Sequence, residues 1–377
     1  MAQNYSTQTI TNQLDALGLP FAAVLARVLI ALLTCRKASL HQVANLLPGD
    51  TDAEAKRQQI RRTLDQPALT QAMWATTTAA LLPAKGPWVL ALDRTEWRLG
   101  NTTINLLVLA VVCAEATSGG RAGCAVPLLW LVLDKPGASD TAERIGLLER
   151  YLALFDKQTI RFVTADREFI GRDWLAWLRT EQVPFRIRIK AGEWLVHEDG
   201  RNKRAGEWFG LRACWCKPRP VLLWGLPVFV GGKRLRRNKS NKSNMSNKSN
   251  KSNECLIVIS NEAGDLLEEY RLRWKIETLF QAFKGRGFEM ESSRLSDPVR
   301  LSSWFGLLSL ALCWCLRVGE FLERVEPLRL KKHGRAAQSI FHRGLNELQA
   351  LLAPLAGKAC EGAFVQAVWQ LRPAALK

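Results

Sequence analysis

The sequence predicts an α/β protein: a mixed five-stranded sheet with helices, interrupted by a β-rich insertion and flanked by helical N- and C-terminal regions. Three observations carry that prediction. Between residues 87 and 190, apolar runs of strand length alternate with amphipathic stretches of helical period. A basic segment broken by Gly and Pro follows, and beyond it Tyr270 to Lys284 returns to the helical period. Residues 1–86 and 321–377 carry helix-patterned stretches.

In residues 1–86, Leu40 to Leu47 is amphipathic and stops at Pro48-Gly49; Ala53 to Leu64 follows after a short turn. The second stretch carries Lys56, Arg57, Arg61 and Arg62. Such a pair has the layout of a helix-turn-helix whose second helix meets DNA, with Arg57, Arg61 and Arg62 as its contacts. A three-helix bundle with a solvated basic face has the same pattern.

Residues 87–185 form the first part of the core. Trp88 to Leu92 is an apolar strand ending at Asp93. Thr103 to Cys113 and Ala125 to Leu133 are the next two strands, with Ser118 to Gly123 as the turn between them. Asp140 to Phe155 reads as a helix, and Ile160 to Ala165 as a strand ending at Asp166. Gly171 to Thr180 is a short helix and Phe185 to Lys190 a fifth strand. Three neighbouring strands, a helix, a strand, a helix and a strand is the order of a ribonuclease H-like core.

Residues 186–255 are a basic, β-rich insertion. From Arg186 to Asn253 there are 17 Lys and Arg against 4 Asp and Glu, so most of the chain's net charge of +18 sits in this segment and suits a polyanionic partner. Trp194, Trp208, Trp215 and Trp224 stud it; aromatic faces among cations stack on unpaired bases, and equally build small cores. The Lys-Ser-Asn repeat of residues 238–253 has no apolar residue but Met245 and is predicted to be a loop without structure of its own.

Residues 256–320 complete the core. At about 100° per residue, taking Tyr270 as zero, Arg273 falls near 300°, Glu277 near 340°, Gln281 near 20° and Lys284 near 320°. Leu272, Ile276, Leu279 and Phe283 fall opposite and form the predicted buried face. One carboxylate among cations and a phenol suits a site where a metal and a phosphate meet, and an ordinary solvated face with i,i+4 pairs has the same spacing. Asp93 and Asp166 tilt the reading towards a site, because ligand-handling groups in open α/β sheets gather at the carboxyl ends of strands.

The Y-x2-R-x3-E-x6-K spacing of Tyr270, Arg273, Glu277 and Lys284 resembles the signature of the insertion-sequence IS-four family of DDE transposases. Asp93, in Leu-Asp-Arg-Thr, and Asp166, in Ala-Asp-Arg-Glu-Phe, resemble that family's two aspartates. Lys332-His-Gly-Arg335 and Ser339 to Gly344 resemble its C-terminal region.

The resemblance implies a metal-dependent DNA nuclease and strand transferase. Its substrates would be double-stranded DNA, the terminal inverted repeats of a transposon and then target DNA, and its synaptic complex a dimer. Asp93, Asp166 and Glu277 would be the catalytic and metal-binding acids. Two Mg²⁺ ions are implied, since hard carboxylate oxygens suit them, and Mn²⁺ would substitute. Tyr270, Arg273 and Lys284 would grip phosphates, Trp274 would help order the DNA end, and a hairpin would form on the way to strand transfer.

Two rivals share these residues: a metal-dependent ribonuclease H-like nuclease, and a catalytically inactive DNA-binding derivative of a transposase. Phe21 to Cys35 and Leu301 to Leu316 read as buried helices, each too short for a membrane span. The nine cysteines lack zinc spacing and come with no export signal, so reduced thiols and a cytoplasmic location at the bacterial nucleoid are expected.

Overall fold

The computed structural model describes residues 2–83, 86–114, 123–209, 214–235, 255–328, 337–353 and 361–373. Five helices come first: α1 (Ala2–Ala16), α2 (Ala22–Cys35), α3 (Leu40–Leu46), α4 (Ala53–Leu64) and α5 (Gln71–Leu81). Then follow β1 (Trp88–Leu99), β2 (Thr102–Ala114), β3 (Gly123–Leu133), α6 (Thr141–Leu154), β4 (Ile160–Ala165), α7 (Arg172–Thr180) and β5 (Phe185–Arg188). The basic segment supplies β6 (Trp194–His197), β7 (Asn202–Arg204), β8 (Cys214–Leu223) and β9 (Leu226–Arg234), and the chain returns through β10 (Cys255–Ser260). Last come α8 (Leu266–Tyr270), α9 (Trp274–Phe283), α10 (Pro298–Val325), α11 (Ile340–Leu352) and α12 (Glu361–Trp369).

All ten strands form one mixed sheet in the order β3-β2-β1-β4-β5-β10-β9-β8-β6-β7. The ladders β3-β2-β1 are antiparallel, whereas β1, β4 and β5 run parallel. The predicted five-stranded sheet is therefore half of a larger one. β10 pairs antiparallel with β5, Val258 opposite Arg188, and covers an edge that five strands would leave open.

The sequence accounts for these elements locally. Leu106 to Val111 on β2 is wholly buried, as expected of a strand covered on both faces. Asp140 closes a capping box with Glu143 at the start of α6, and Asp52 caps α4 by accepting from the Ala55 amide.

β1 differs from its predicted end at Asp93: it runs on to Leu99, paired with β2 through Leu99 opposite Thr102. Its character changes at Asp93, from a fully buried run to an alternation in which Thr95 and Trp97 are buried while Glu96 and Arg98 are exposed.

α9, α10 and α5 all lie against β3. α10 is longer than the predicted Leu301 to Leu316, because the polar residues on both sides of that run keep the helical path; Pro298 opens it and Asp297 caps it. Among the described residues it is the one helix long and apolar enough to cross a membrane, but 78% of its most apolar window is buried inside the protein. α11 crosses it closely. A Cβ on Gly344 would sit 1.8 Å from the Cys315 carbonyl oxygen, and one on Gly319 would sit 2.1 Å from that of Ile340. The Ser118 to Gly123 turn short of Gly123, the 238–253 repeat and Lys332 to Arg335 lie outside the described residues.

Candidate active site

The parallel β1–β4 ladder pairs Leu92 with Ala165, so Asp93 and Asp166 follow at equivalent places on adjacent strands, which run about 4.8 Å apart. Each aspartate accepts a hydrogen bond from the amide that follows it, Arg94 N at 2.8 Å and Arg167 N at 2.7 Å. β4 ends at Ala165, and beyond it β1 has no strand on that side among the described residues. The two carboxylates stand where the sheet splits.

Tyr270 to Lys284 brings the third acid. The expected continuous helix is α8, a tight 3-10 turn over Arg271–Arg273, and α9, with Lys284 leaving helical geometry as the C-cap. α8 is anchored to the sheet by Arg186 on β5, whose Nε donates to Glu269 Oε2 at 2.5 Å and whose Nη1 donates to Ser260 Oγ at 2.7 Å. That anchor places the Tyr270 hydroxyl to donate to Asp166 Oδ1 at 3.3 Å.

One turn on, Arg273 Nη1 donates to Asp93 Oδ2 at 3.1 Å and Nη2 to Glu277 Oε1 at 2.6 Å. Arg273 thus joins Asp93 to Glu277, and Tyr270, its ring against the Arg273 guanidinium, holds Asp166. Ile276, Leu279 and Phe283 are buried as predicted. On the polar stripe Tyr270 and Arg273 are buried too, because that face meets the carboxylates at the split in the sheet and is not the solvated face that the same spacing allows. Lys284 stays half-exposed, its Nζ donating to the Glu96 carbonyl oxygen at 3.1 Å and pairing with Glu291 at 3.1 Å.

Burial pushes the Asp93 carboxyl up from its ordinary 3.8 to about 6, against the Arg94 amide and the Arg273 guanidinium; Glu168 and Asp166 add to the rise. Burial likewise lifts the Tyr270 phenol well above its usual range, so it remains a proton donor to Asp166. Burial alone would lower Arg273, but Tyr270, Asp93, Asp166 and Glu277 outweigh it and hold the guanidinium charged.

Three carboxylates are hard oxygen donors of the kind that divalent cations take. Among the described residues, however, no three acids, histidines or cysteines gather tightly enough to surround one ion. The Arg273 fork stands between Asp93 and Glu277, whose bonded oxygens lie at most about 8 Å apart across it. The donors fit a hard cation, and seating it between these two acids requires Arg273 to let go of them.

A family model described as a transposase DDE domain matches residues 84–314. The chain belongs to the DDE transposase family. Among curated proteins none matches it. A DDE transposase cleaves DNA and transfers strands with divalent metal ions. The matched span of this transposase contains Asp93, Asp166, Tyr270, Arg273, Trp274, Glu277 and Lys284 and leaves out α3 and α4.

Arg57, Arg61 and Arg62 lie on α4, which packs on α3 and α10; Arg57 pairs with Glu54, and no contact among the described residues ties these arginines to the acids. Trp274 projects outward, 62% exposed, with Arg273 against its ring. In the insertion, Trp194 is exposed beside Arg204, whereas Trp208 packs on the core and the His197 ring. Trp224 is half-buried in left-handed backbone, and the Trp215 side chain lies outside the described residues.

Sequence reasoning missed three charged neighbours. Arg188 Nη1 lies 3.8 Å from Asp166 Oδ1, Arg94 follows Asp93 on β1, and Glu168 lies 3.5 Å from Arg94 Nε. Glu168 and Arg94 sit within two residues of a predicted acid, a signal available in the sequence. Arg188 depends on β5 lying beside β4, which spacing does not reveal.

Proposed function

We propose that this DDE transposase is a cut-and-paste enzyme of the insertion-sequence IS-four type, built on a ribonuclease H-like core, that frees a transposon's ends and joins them to target DNA. The observation that supports this best is the hydrogen-bonded chain Asp166–Tyr270 and Asp93–Arg273–Glu277, which gathers every acid and two further signature residues in one place. The strand order β3-β2-β1-β4-β5, with β1, β4 and β5 parallel, supports the core assignment.

In this reading Asp93, Asp166 and Glu277 would hold two Mg²⁺ ions, with Mn²⁺ as a substitute. When bound, the ions supply a deprotonated nucleophile near neutral pH and stabilise the leaving oxygen. The protein's own groups do the rest. Tyr270 holds Asp166 in place through a phenol that stays protonated. Arg273 exchanges its carboxylate partners for the scissile phosphate, which its planar fork matches equally well. Lys284, the C-cap of α9, places a further cation along the strand, and Trp274 presents an exposed ring at the other end of that helix. Neither step calls for a histidine base. The same pocket then serves end cleavage, hairpin formation and opening, and strand transfer.

Residues 1–86 are assigned to recognition of the terminal inverted repeats, through Arg57, Arg61 and Arg62 on α4, and the active assembly to a DNA-held dimer. The test is a strand-transfer reaction with paired end duplexes, plasmid target and Mg²⁺. Joined products from the wild type, absent in Asp93→Ala, support the proposal. Cleavage without joining points to the nuclease, and DNA binding without cleavage to the inactive derivative.

A further inference from the structure

Past Asp93 the sheet opens into a second feature that the three acids do not explain. From Asp93 to Leu99, β1 is paired, among the described residues, with β2 alone; its other edge lines a cleft of about 460 Å³ together with the end of α9. The cleft is bounded by Arg94, Glu96, Gln281, Lys284 and Arg286. Two contacts show that the backbone of this edge faces the cleft. The Arg94 amide is taken by the Asp93 carboxylate and not by β2, and the Glu96 carbonyl accepts from Lys284 Nζ.

Three cations converge there. Arg94 Nη1 pairs with Glu96 at 2.7 Å and donates to Asn105 Oδ1 at 3.3 Å, and its Nε lies 3.5 Å from Glu168. Lys284 pairs with Glu291 at 3.1 Å, and exposed Arg286 donates to the neutral Gln281 amide at 2.8 Å. The carboxylate partners are 36 to 47% exposed, and ion pairs open to water on one side are weak. A phosphate competes well against them, because charge-assisted bonds from Arg to a phosphate are among the strong ones. The cleft starts beside Asp93, and Lys284 lies seven residues along α9 from Glu277, about 10.5 Å, or about three base steps of a duplex.

We propose that this cleft seats the phosphodiester backbone of the strand being cut, within about three base steps of the scissile bond, with Arg94 and Arg286 as phosphate contacts that complete what Lys284 begins. The assignment rests on the proposed function and names where that substrate runs. Arg286 contributes one phosphate contact and Arg94 locks the open edge of β1 against the strand.

The experiment measures binding of a duplex carrying the flanking terminal repeat, by fluorescence anisotropy in metal-free buffer over a range of salt. Single methylphosphonate linkages, which remove one backbone charge each, are stepped along the cut strand. In the wild type, one neutral linkage near the cleavage point is expected to weaken binding about tenfold. Arg286→Ala, an exposed substitution, is expected to weaken binding of the unmodified duplex by a similar factor, to lower the salt slope by about one, and to become insensitive to that linkage. Arg94→Gln is expected to show the same pattern. Tight binding by Arg286→Ala with an unchanged slope and unchanged linkage sensitivity overturns the assignment. A wild type that does not bind the duplex overturns the proposed function, and the cleft assignment with it.

Discussion

Replacing Asp93 by Asn isolates the electrostatic cost stored at the centre of the site. Asn keeps the shape and one of the two acceptors, Oδ1 for the Arg94 amide and Oδ2 for Arg273, and it loses the charge. In the folded chain burial lifts the Asp93 carboxyl from 3.8 to about 6, an interval worth about 3 kcal/mol. Between those two values the folded state binds more protons than the unfolded one, so the contribution of Asp93 is full below 3.8 and is lost as pH rises through 6. Urea unfolding in chelated buffer should therefore show the wild type losing about 2 kcal/mol relative to Asp93→Asn between pH 4 and pH 8. Mg²⁺ at pH 8 should return much of that loss to the wild type and little to the variant. Parallel stability curves for the two proteins across this range would refute the argument that Asp93 is ionised at a cost.

Arg273→Lys replaces a fork by a point charge that cannot bridge Asp93 and Glu277 together; single-turnover cleavage should fall about a hundredfold while circular dichroism stays native. Tyr270→Phe removes a 3.3 Å bond to Asp166, worth about 1 kcal/mol, so the same assay should show about a fivefold loss without weaker DNA binding. Gly344→Ala places a methyl group 1.8 Å from the Cys315 carbonyl oxygen, and forcing α10 and α11 apart should cost about 3 kcal/mol in thermal or urea unfolding.

The elements around the acids were legible because their signals are local. Strands buried on both faces leave unbroken apolar runs, and Asp140 and Asp52 mark helix starts by chemistry that needs no tertiary context. The end of β1 was read short because the apolar run stops at Asp93; the alternation of Thr95 and Trp97 with Glu96 and Arg98 was in the sequence but belongs to a different burial regime.

The Tyr270 stripe shows another limit. Periodicity tells which side chains share a face, but of the stripe only Arg273 bonds Glu277, whereas Lys284 turns to Glu96 and Glu291. Periodicity does not tell whether a polar face meets water or another polar group, so the burial of Tyr270 and Arg273 against carboxylates 104 and 180 positions away was invisible. The return of β10 beside β5, which makes one sheet of core and insertion and brings Arg188 towards Asp166, depends on pairings that no spacing encodes.

Anomalous diffraction from Mn²⁺ in crystals of the protein bound to an end duplex decides whether Asp93, Asp166 and Glu277 share one metal centre. Two peaks about 4 Å apart, touched by all three carboxylates, are expected, with the Arg273 guanidinium turned from Asp93 and Glu277 onto a phosphate. Manganese bound elsewhere, or Glu277 still held by Arg273 while ions occupy the aspartates, would contradict a shared centre.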